Sequence, residues 1–571
     1  MAEYLSPGVY VEEFESGPRP MEGVSTSTAG FVGMAQRGAV IGAPELVTNI
    51  SDFKRTYGGY LPESVYHEHR YLAYAVEQFF LNGGARAYIM RVAPEDAKAA
   101  EVELNGWLKV KAKNPGVWGN NIRVKLTPSS KAKTQILEVI EDEIGGTKYK
   151  VKNANGFNAG DVVVFTDGET QVENVIETSV EGVLTFKKPF EGDVVDSGLI
   201  AVKTLATSEF HMEIGFQDVL ESYEFVSLNV AGFNYIGKKL AKSVLVEVEI
   251  LKEESAEEPP YKVLAQKEDG TYVFGLYNGS DGDISGVTAA EYMGTDDGPG
   301  KRTGIQSFLE NDNVSIMAVP GNVDPNVQMA LIAHCENTKS RFAVLDIPRD
   351  AAKVADVLTH RDMYDSDYAA IYHPWLEVFD PLDKKNTYLP PSGAMIGIYA
   401  RTDNSRGVFK APANETVSGV VGLSTIYGKG EQDILNPKGV NLIRSFTGQG
   451  IRVWGARTVS SNALWKYINV RRLFIFLEES IRANTNWVVF EPNDEALWNR
   501  VKRTIDVFLT GVWRTGALAG TTPGEAFFVD IGRTTMSKDD IDNGRLVCVI
   551  GVAPVKPAEF VIFRITQKTS E

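Results

Sequence analysis

The sequence predicts a multidomain protein that combines α/β and α+β folds and has an extended arm at each end. Three observations support this class. The chain has 571 residues, which is too long for one hydrophobic core and suggests about three or four folding units. Strand and helix patterns alternate near the N-terminus and again after residue 301, which is typical of a parallel sheet covered by helices. Between these two parts, apolar and polar side chains alternate with period two, which is typical of β-structure.

The composition is ordinary for a globular protein and disfavours several functions. Hydrophobic residues make up 43% of the chain and the formal net charge is −17. This acidic balance argues against direct nucleic-acid binding, which requires a basic surface. The N-terminus lacks the basic and apolar regions of a signal peptide, and no segment approaches the roughly 18 apolar residues of a membrane span. We therefore expect a protein that is made and kept in a cytoplasm.

Residues 1–25 are predicted to form an N-terminal arm. Its extended core is Val9, Tyr10 and Val11, which follow a Pro-Gly pair and precede an acidic stretch. So short a segment cannot bury its own apolar side chains, so it is either disordered or paired with another element.

An α/β domain is predicted from residues 26–98 together with residues 270–435. It begins with a strand over Gly30–Ala35, a helix over Glu68–Leu81 and a strand over Ala87–Val92. Asn82-Gly83-Gly84 ends that helix where a left-handed residue is favoured. The second part alternates strands and helices over Val314–Val319, Asn326–Thr338, Arg341–Ile347, Ala351–Thr359 and Tyr368–Tyr372.

Residues 99–269 are predicted to be a β-rich domain inserted into this α/β domain. Val162–Phe165 and Val183–Phe186 have the composition of strands separated by turns. Residues 131–205 are predicted to form a compact β unit nested inside the insertion. The charged stretch Glu253–Pro260, which ends in two prolines, marks a boundary near the C-terminal end of the inserted domain.

Residues 436–555 are predicted to form a C-terminal α+β domain. It contains a β unit over Ile443–Thr458 and helices over Trp465–Asn484 and Asp494–Trp513. The second helix carries an apolar stripe and four basic residues on the remaining surface, Arg500, Lys502, Arg503 and Arg514. These four form either a solvated face or a surface that docks onto an acidic partner.

Residues 556–571 are predicted to form a C-terminal linking strand. Its core is apolar on both faces, so the strand requires neighbours on both sides. The residues of this core are Phe560, Val561, Ile562, Phe563, Arg564 and Ile565.

Candidate catalytic residues are weak. Asp346, His373 and Ser392 lie near predicted strand ends or in loops, but Ser392 follows two prolines and lacks a nucleophile elbow. A triad is recognised by geometry rather than by chain order. We therefore expect no catalytic residue.

Candidate ligand sites are equally weak. Asp281–Gly286 begins like a calcium loop, but its twelfth position is Tyr292 instead of an acid, so a tight turn is favoured. Tyr427–Gly430 lacks the frame of a phosphate-binding loop. Cys335 and Cys548 are predicted to be buried thiols. No metal or cofactor is expected.

Several motifs spread along the chain resemble those of the contractile tail sheath family of phages, bacteriocins and related injection systems. The most specific stretch runs from Pro390 to Asn414. The others are Leu5–Glu13, Phe79–Gly84 with Arg91-Val92, Asn114–Asn121 and Leu276–Gly282. The resemblance covers the chain except the nested unit.

This resemblance implies a structural protein and no enzyme. The α/β domain would be subtilisin-like without its catalytic machinery, and subunits would stack as six-membered rings around a tail tube. Terminal strands would be exchanged between copies, and contraction would drive the tube through a target envelope. Further expected partners are baseplate and tail terminator proteins, and the expected location is the virion. A bacteriocin or extracellular injection device, an α/β hydrolase and a tail-associated adhesin remain alternatives.

Overall fold

The computed structural model describes residues 21–104, 106, 108–140, 147–166, 171–186, 204–227, 230, 232–251 and 272–562. The chain divides into two compact units. The described part of the first unit comprises residues 21–35, 41–92 and 288–562. The second unit comprises residues 36–40 and the described part of 93–287. The predicted boundary stretch Glu253–Pro260 lies outside the described residues.

The strands of the described residues occur in both units. In chain order they are β1 (Ala29–Met34), β2 (Glu45–Val47), β3 (Ala87–Val92), β4 (Glu101–Leu104), β5 (Leu108–Ala112), β6 (Arg123–Ser129), β7 (Lys133–Ile140), β8 (Lys148–Val151), β9 (Val162–Thr166), β10 (Gln171–Val180), β11 (Val183–Phe186), β12 (Thr204–Thr207), β13 (Glu209–Phe216), β14 (Val219–Val226), β15 (Val246–Ile250), β16 (Tyr272–Gly275), β17 (Ile316–Ala318), β18 (Phe342–Asp346), β19 (Ala369–His373), β20 (Leu376–Asp380), β21 (Lys385–Leu389), β22 (Gly422–Leu423), β23 (Val440–Phe446), β24 (Gly450–Val453), β25 (Phe527–Ile531) and β26 (Cys548–Val552).

The α-helices of the described residues concentrate in the first unit. In chain order they are α1 (Ile50–Tyr57), α2 (Glu63–Tyr66), α3 (Leu72–Leu81), α4 (Ile236–Lys239), α5 (Ala289–Met293), α6 (Pro325–Thr338), α7 (Val354–Arg361), α8 (Ser392–Arg406), α9 (Lys429–Leu435), α10 (Ile468–Asn484), α11 (Glu495–Arg514), α12 (Pro523–Ala526) and α13 (Lys538–Asp542).

The first unit is built on an eight-stranded sheet in the order β2-β3-β1-β17-β18-β19-β23-β24. The six strands from β3 to β23 run parallel, and β2 and β24 are antiparallel edge strands. The predicted parallel sheet is therefore confirmed. Because β23 pairs with β19, the sheet continues past residue 435 and includes the start of the predicted C-terminal region.

Helices α3 and α8 pack unusually close to each other in the core of this unit. A Cβ atom at Gly393 would lie 2.4 Å from the carbonyl oxygen of Ala75, and one at Gly397 would lie 2.5 Å from that of Phe79. These glycines are four residues apart, so they face α3 on the same side of α8. The Pro390–Asn414 motif thus includes a contact that only glycine can make without displacing α3.

Helix boundaries differ from the predicted ones by a few residues. The helix predicted to begin at Glu68 begins at Leu72, because His67–His69 form a separate 3-10 turn and His67 has a φ of 44°. It ends at Leu81 as predicted, and Gly83 has a φ of 107°. Glycine adopts that conformation without the steric cost of a Cβ atom.

The second unit is β-rich, as the sequence predicts. It contains a closed barrel in the order β10-β11-β8-β7-β12-β9, a four-stranded sheet and a three-stranded sheet. The barrel strands span Lys133–Thr207 and enclose a core that includes Ile136, Phe165 and Leu184. The nested β unit predicted at residues 131–205 corresponds to this barrel.

A smaller apolar core lies in the C-terminal part of the first unit. It joins α10, α11 and the two-stranded sheet of β25 and β26, with Leu477, Ile505, Leu509 and Val529 among its buried members. Cys548 lies at the edge of this core and is only partly buried, so the prediction of a buried thiol there is wrong, whereas Cys335 is buried. Among the described residues, no helix is both long and apolar enough to cross a membrane.

Candidate inter-subunit surface

The last described residues carry three large apolar side chains that contact little of their own subunit. Phe560, Val561 and Ile562 are 72%, 67% and 78% exposed and lie outside any strand. Consecutive exposed apolar side chains of this size are costly in water and typical of a segment that another surface covers. The remaining predicted linking residues, Phe563, Arg564 and Ile565, lie outside the described residues, as do Val9, Tyr10 and Val11.

A dense set of hydrogen bonds holds the residue just before this apolar segment. Arg457 donates to both carboxylate oxygens of Glu559, from Nε at 2.8 Å and from Nη2 at 2.6 Å. Asn436 Nδ2 and the Tyr467 hydroxyl donate to the same carboxylate at 2.8 and 3.1 Å. Burial raises the pKa of Glu559, but these donors outweigh burial and hold the pKa below its ordinary value. Glu559 therefore fixes the point at which the chain leaves the domain.

The two-stranded sheet of β25 and β26 has one covered face and one open face. Val529 and Ile550 pack on the core shared with α11, while Phe528 and Val549 on the other face are 57% and 45% exposed. Within the described residues, neither strand pairs with a third strand. Strand edges of this kind can accept a further strand through backbone hydrogen bonds.

Helix α11 is amphipathic, as the sequence predicts. Asp494 caps its N-terminus by accepting from the Leu497 amide at 2.9 Å. The predicted apolar stripe is buried and consists of Leu497, Val501, Ile505, Phe508 and Val512. The opposite face carries the polar side chains of Asn499, Lys502, Arg503, Asp506, Thr510 and Arg514.

The four basic residues of α11 have different environments. Arg500 pairs with Glu491 at 2.8 Å and lies over the Trp487 ring. Lys502 donates to the Val529 carbonyl at 2.7 Å, so its ammonium is partly engaged within the domain. Arg503 and Arg514 lie on the face opposite the apolar stripe and have no ion-pair partner in the described part of the chain. Of the four, these two are the most available to an acidic partner.

The candidate triad residues Asp346, His373 and Ser392 are buried and are not hydrogen-bonded in the order that a catalytic triad requires. Ser392 Oγ donates directly to Asp346 Oδ2 at 2.7 Å, and the Ser392 amide donates to Oδ1 at 2.9 Å. Burial raises the pKa of the Asp346 carboxyl to about 6, although these bonds and one from Gly321 act against that rise. His373 Nε2 instead lies 3.0 Å from the Tyr427 hydroxyl. Ser392 therefore has no histidine base, and its bonds to Asp346 fix the start of α8.

The Asp281 segment makes structural contacts. Asp281 Oδ1 accepts from the Val117 amide at 3.0 Å, and Gly282 has a φ of 77°. Glu291, next to the expected calcium ligand position, forms a capping box with Thr288. Among the described residues, no group of three or more His, Cys, Asp or Glu side chains could hold a metal. These contacts confirm the tight turn.

Sequence reasoning missed Glu559 and its partners. Arg457, Asn436 and Tyr467 lie about a hundred residues away along the chain, so no local pattern connects them. The one sequence signal for this contact is a single acidic residue directly before the predicted apolar strand, and on its own it is a weak indication of an anchoring role.

Two family models match adjoining parts of the chain. Residues 285–459 match the phage tail sheath protein central domain, and residues 460–568 match the phage tail sheath C-terminal domain. The tail sheath protein of Vibrio phage KVP40 is 29% identical over 198 residues, which are 34% of this chain and 29% of that protein. The tail sheath protein of Burkholderia phage BcepMu is 26% identical over 310 residues, which are 51% of this chain and 63% of that protein. The chain thus spans less than two thirds of the length of either relative.

A solved structure is similar over nearly the full length of both chains. It is the sheath complex of an extracellular contractile injection system, PVC, in the contracted state. The TM-score is 0.53 at 20% identity, with 100% of this chain and 99% of that chain covered. This similarity confirms a mixed, multidomain fold of the kind found in that complex.

Proposed function

Because this chain carries the central and C-terminal domains of phage tail sheath proteins, we propose that it is the structural subunit of a contractile tail sheath. It polymerises as stacked six-membered rings around a tail tube. Contraction of this polymer drives the tube through a target cell envelope. The observation that carries the proposal is the exposed apolar segment Phe560–Ile562 leaving the domain at a fixed point.

Strand exchange is the proposed link between copies. The C-terminal segment adds to a sheet of a neighbouring copy, and the N-terminal core Val9, Tyr10 and Val11 does the same. The β25–β26 sheet is the proposed acceptor, since neither strand pairs with a third strand of the described residues and Phe528 on its open face is exposed. Backbone pairing gives a short peptide a directional and strong attachment. The predicted linking residues Phe563, Arg564 and Ile565 continue the donor strand.

Helix α11 is the proposed surface toward the tail tube. Arg503 and Arg514 supply positive charge free to meet an acidic partner, whereas Arg500 and Lys502 contribute less because they are engaged locally. Charge complementarity of this kind sets docking orientation and makes the contact sensitive to salt. Baseplate and tail terminator proteins are further proposed partners at the two ends of the polymer.

The proposed mechanism stores energy in the assembly and needs no nucleotide. The extended lattice is a metastable packing, and its release lets the subunit cores rotate into a wider and shorter lattice. The exchanged strands keep neighbours joined while the cores move. The parallel sheet with α3 and α8 supports a subtilisin-like core, and the environment of Ser392 gives that core no activated nucleophile.

Truncation tests the strand-exchange role. Removal of residues 558–571 should leave a folded, soluble subunit that forms no tubes in electron micrographs. A matched control removes only residues 568–571, beyond the proposed strand, and should form tubes of normal diameter. Normal tubes from the longer deletion would refute strand exchange at this end.

Charge reversal tests the tube-facing role. Arg503→Glu with Arg514→Glu should reduce co-sedimentation of the sheath with purified tail tubes and leave self-assembly unchanged. The matched control, Arg533→Glu, alters an exposed arginine that lies outside α11 and pairs with Glu495 near the start of the helix. Equal tube binding by wild type, the double variant and the control would assign the charges of Arg503 and Arg514 to solvent.

A further inference from the structure

Both ends of the described chain contact helix α10 or the residue directly before it. The C-terminal exit lies at the first turn of α10, where Tyr467, the residue before the helix, donates to Glu559. Asn469 Nδ2 in that turn also donates to the Val555 carbonyl at 3.3 Å. Residues 555 and 559 are therefore both held at the N-terminal end of α10.

The N-terminal segment is held along the rest of α10. Asn484, the last residue of the helix, accepts from the Glu22 amide at 3.4 Å and donates to the Glu22 carbonyl at 2.9 Å. One turn earlier, Ser480 Oγ accepts from the Val24 amide at 3.1 Å. Residues 22–24 therefore lie beside the last turn of α10.

A buried ion pair extends this second attachment. Arg472 on α10 pairs with Asp403 on α8, and both side chains are buried. Thr26 joins them, because its hydroxyl donates to Asp403 at 2.6 Å and its carbonyl accepts from Arg472 at 2.9 Å. Charge-assisted bonds in a buried setting are the strong class of hydrogen bond.

We propose that α10 is the strut that transmits tension between the N-terminal and C-terminal linking arms of one subunit. This inference rests on the proposed function, which makes the arms the links between copies. The 17 residues of α10 span about 25 Å at 1.5 Å per residue. A force entering through the C-terminal arm passes from Glu559 through Tyr467 into the helix. It leaves toward the N-terminal arm at Arg472 in the second turn and at Ser480 and Asn484 in the last turn.

If α10 transmits tension, weakening the contacts at either of its ends should make assembled tubes break more easily. Glu559→Gln keeps the side-chain shape but removes the negative charge that pairs with Arg457. Asn484→Ala removes both bonds to Glu22 at the opposite end. Loss of one charge-assisted anchor should make an arm peel from its own subunit about tenfold more often, because such a bond contributes about 1.4 kcal/mol or more.

The experiment measures rupture of tubes that the full-length chain forms. Single tubes are held at constant axial force in an optical trap, and their lifetimes are compared. Tubes of Glu559→Gln should break about tenfold sooner than wild type. Tubes of Asn484→Ala should also break sooner but by a smaller factor, because the two bonds to Glu22 are neutral and exposed. The control Glu495→Gln removes the partner of exposed Arg533 in the same region and should leave tube lifetime unchanged.

The outcomes separate this inference from the proposed function. Lifetimes equal to wild type in both anchor variants would overturn the strut, even if deletion of residues 558–571 abolishes tubes. Melting of the unassembled chain provides a second readout. Variants that lower the melting temperature but leave tube lifetime unchanged would assign these contacts to folding alone and would also overturn the strut.

Discussion

The close contact between α3 and α8 gives the sharpest prediction about stability. Replacement of Gly393 by alanine places a methyl group 2.4 Å from the Ala75 carbonyl oxygen and 2.6 Å from the Ala75 Cα. Ordinary contacts begin near 3.4 Å, so the helices must separate by about 1 Å. Both atoms belong to helix backbone and cannot rotate away. Overpacking of this kind costs about 1–3 kcal/mol.

Gly511 provides a matched control with the opposite sign. It also lies inside a helix of the first unit, but nothing lies within 4 Å of an added Cβ atom. Gly511→Ala should therefore stabilise the protein by about 0.5–1 kcal/mol, because alanine loses less backbone entropy than glycine on entering a helix.

Urea unfolding of the unassembled full-length chain measures both changes. Circular dichroism follows global unfolding, and hydrogen exchange follows the amides of α3 and α8, because a chain with several domains need not unfold in one step. Gly393→Ala should lower the midpoint and speed exchange in both helices, whereas Gly511→Ala should raise the midpoint. A Gly393→Ala protein as stable as wild type would refute the close-packing argument.

Two further perturbations follow from buried charged groups. Asp380→Ala leaves the buried Arg70 guanidinium without its main partner and should lower the free energy of unfolding in urea by about 3–5 kcal/mol. The control Glu63→Ala removes an exposed partner of the same arginine and should lower it by less than about 1 kcal/mol. Equal losses in the two variants would contradict this reasoning. Burial, reinforced by Arg341, lowers the pKa of His334 to about 3, and Arg341 Nη1 lies 2.6 Å from its Nε2, so the folded protein requires the neutral ring. Because the unfolded chain takes up a proton that the folded ring does not, stability falls as pH drops from about 6.5 toward about 3, by up to about 5 kcal/mol. Burial raises the pKa of Asp346 to about 6, so this carboxyl acts in the opposite direction between about pH 6 and pH 4. The test therefore compares the pH dependence of the free energy of unfolding in wild type and in His334→Gln. Superimposable curves would rule out His334 as the source of the pH dependence.

Local periodicity predicted the elements whose environment is set by neighbours in sequence. The stripe on α11 and the strand Ala87–Val92 agree with the structure because burial on one helix face or in a sheet directly shapes composition. A compact β unit was predicted over residues 131–205 for the same reason, whereas its closure into a barrel was not predicted.

Long-range pairing was beyond the reach of the same patterns. The segment from Ile443 was predicted to start a separate β unit, yet β23 pairs with β19 and extends the large sheet. The anchor at Glu559 depends on Arg457, which lies 102 residues earlier. Such contacts are determined by topology, which a single sequence does not encode in any short window.

The most direct test of strand exchange is a three-dimensional reconstruction of the assembled sheath at a resolution that traces the chain. Starting from Glu559, the density is followed through Phe560 to Ile565 to find the subunit with which this segment forms backbone hydrogen bonds. We predict pairing with a sheet of a different copy. A segment that folds back and pairs within its own subunit would contradict the account of a linked, sliding lattice.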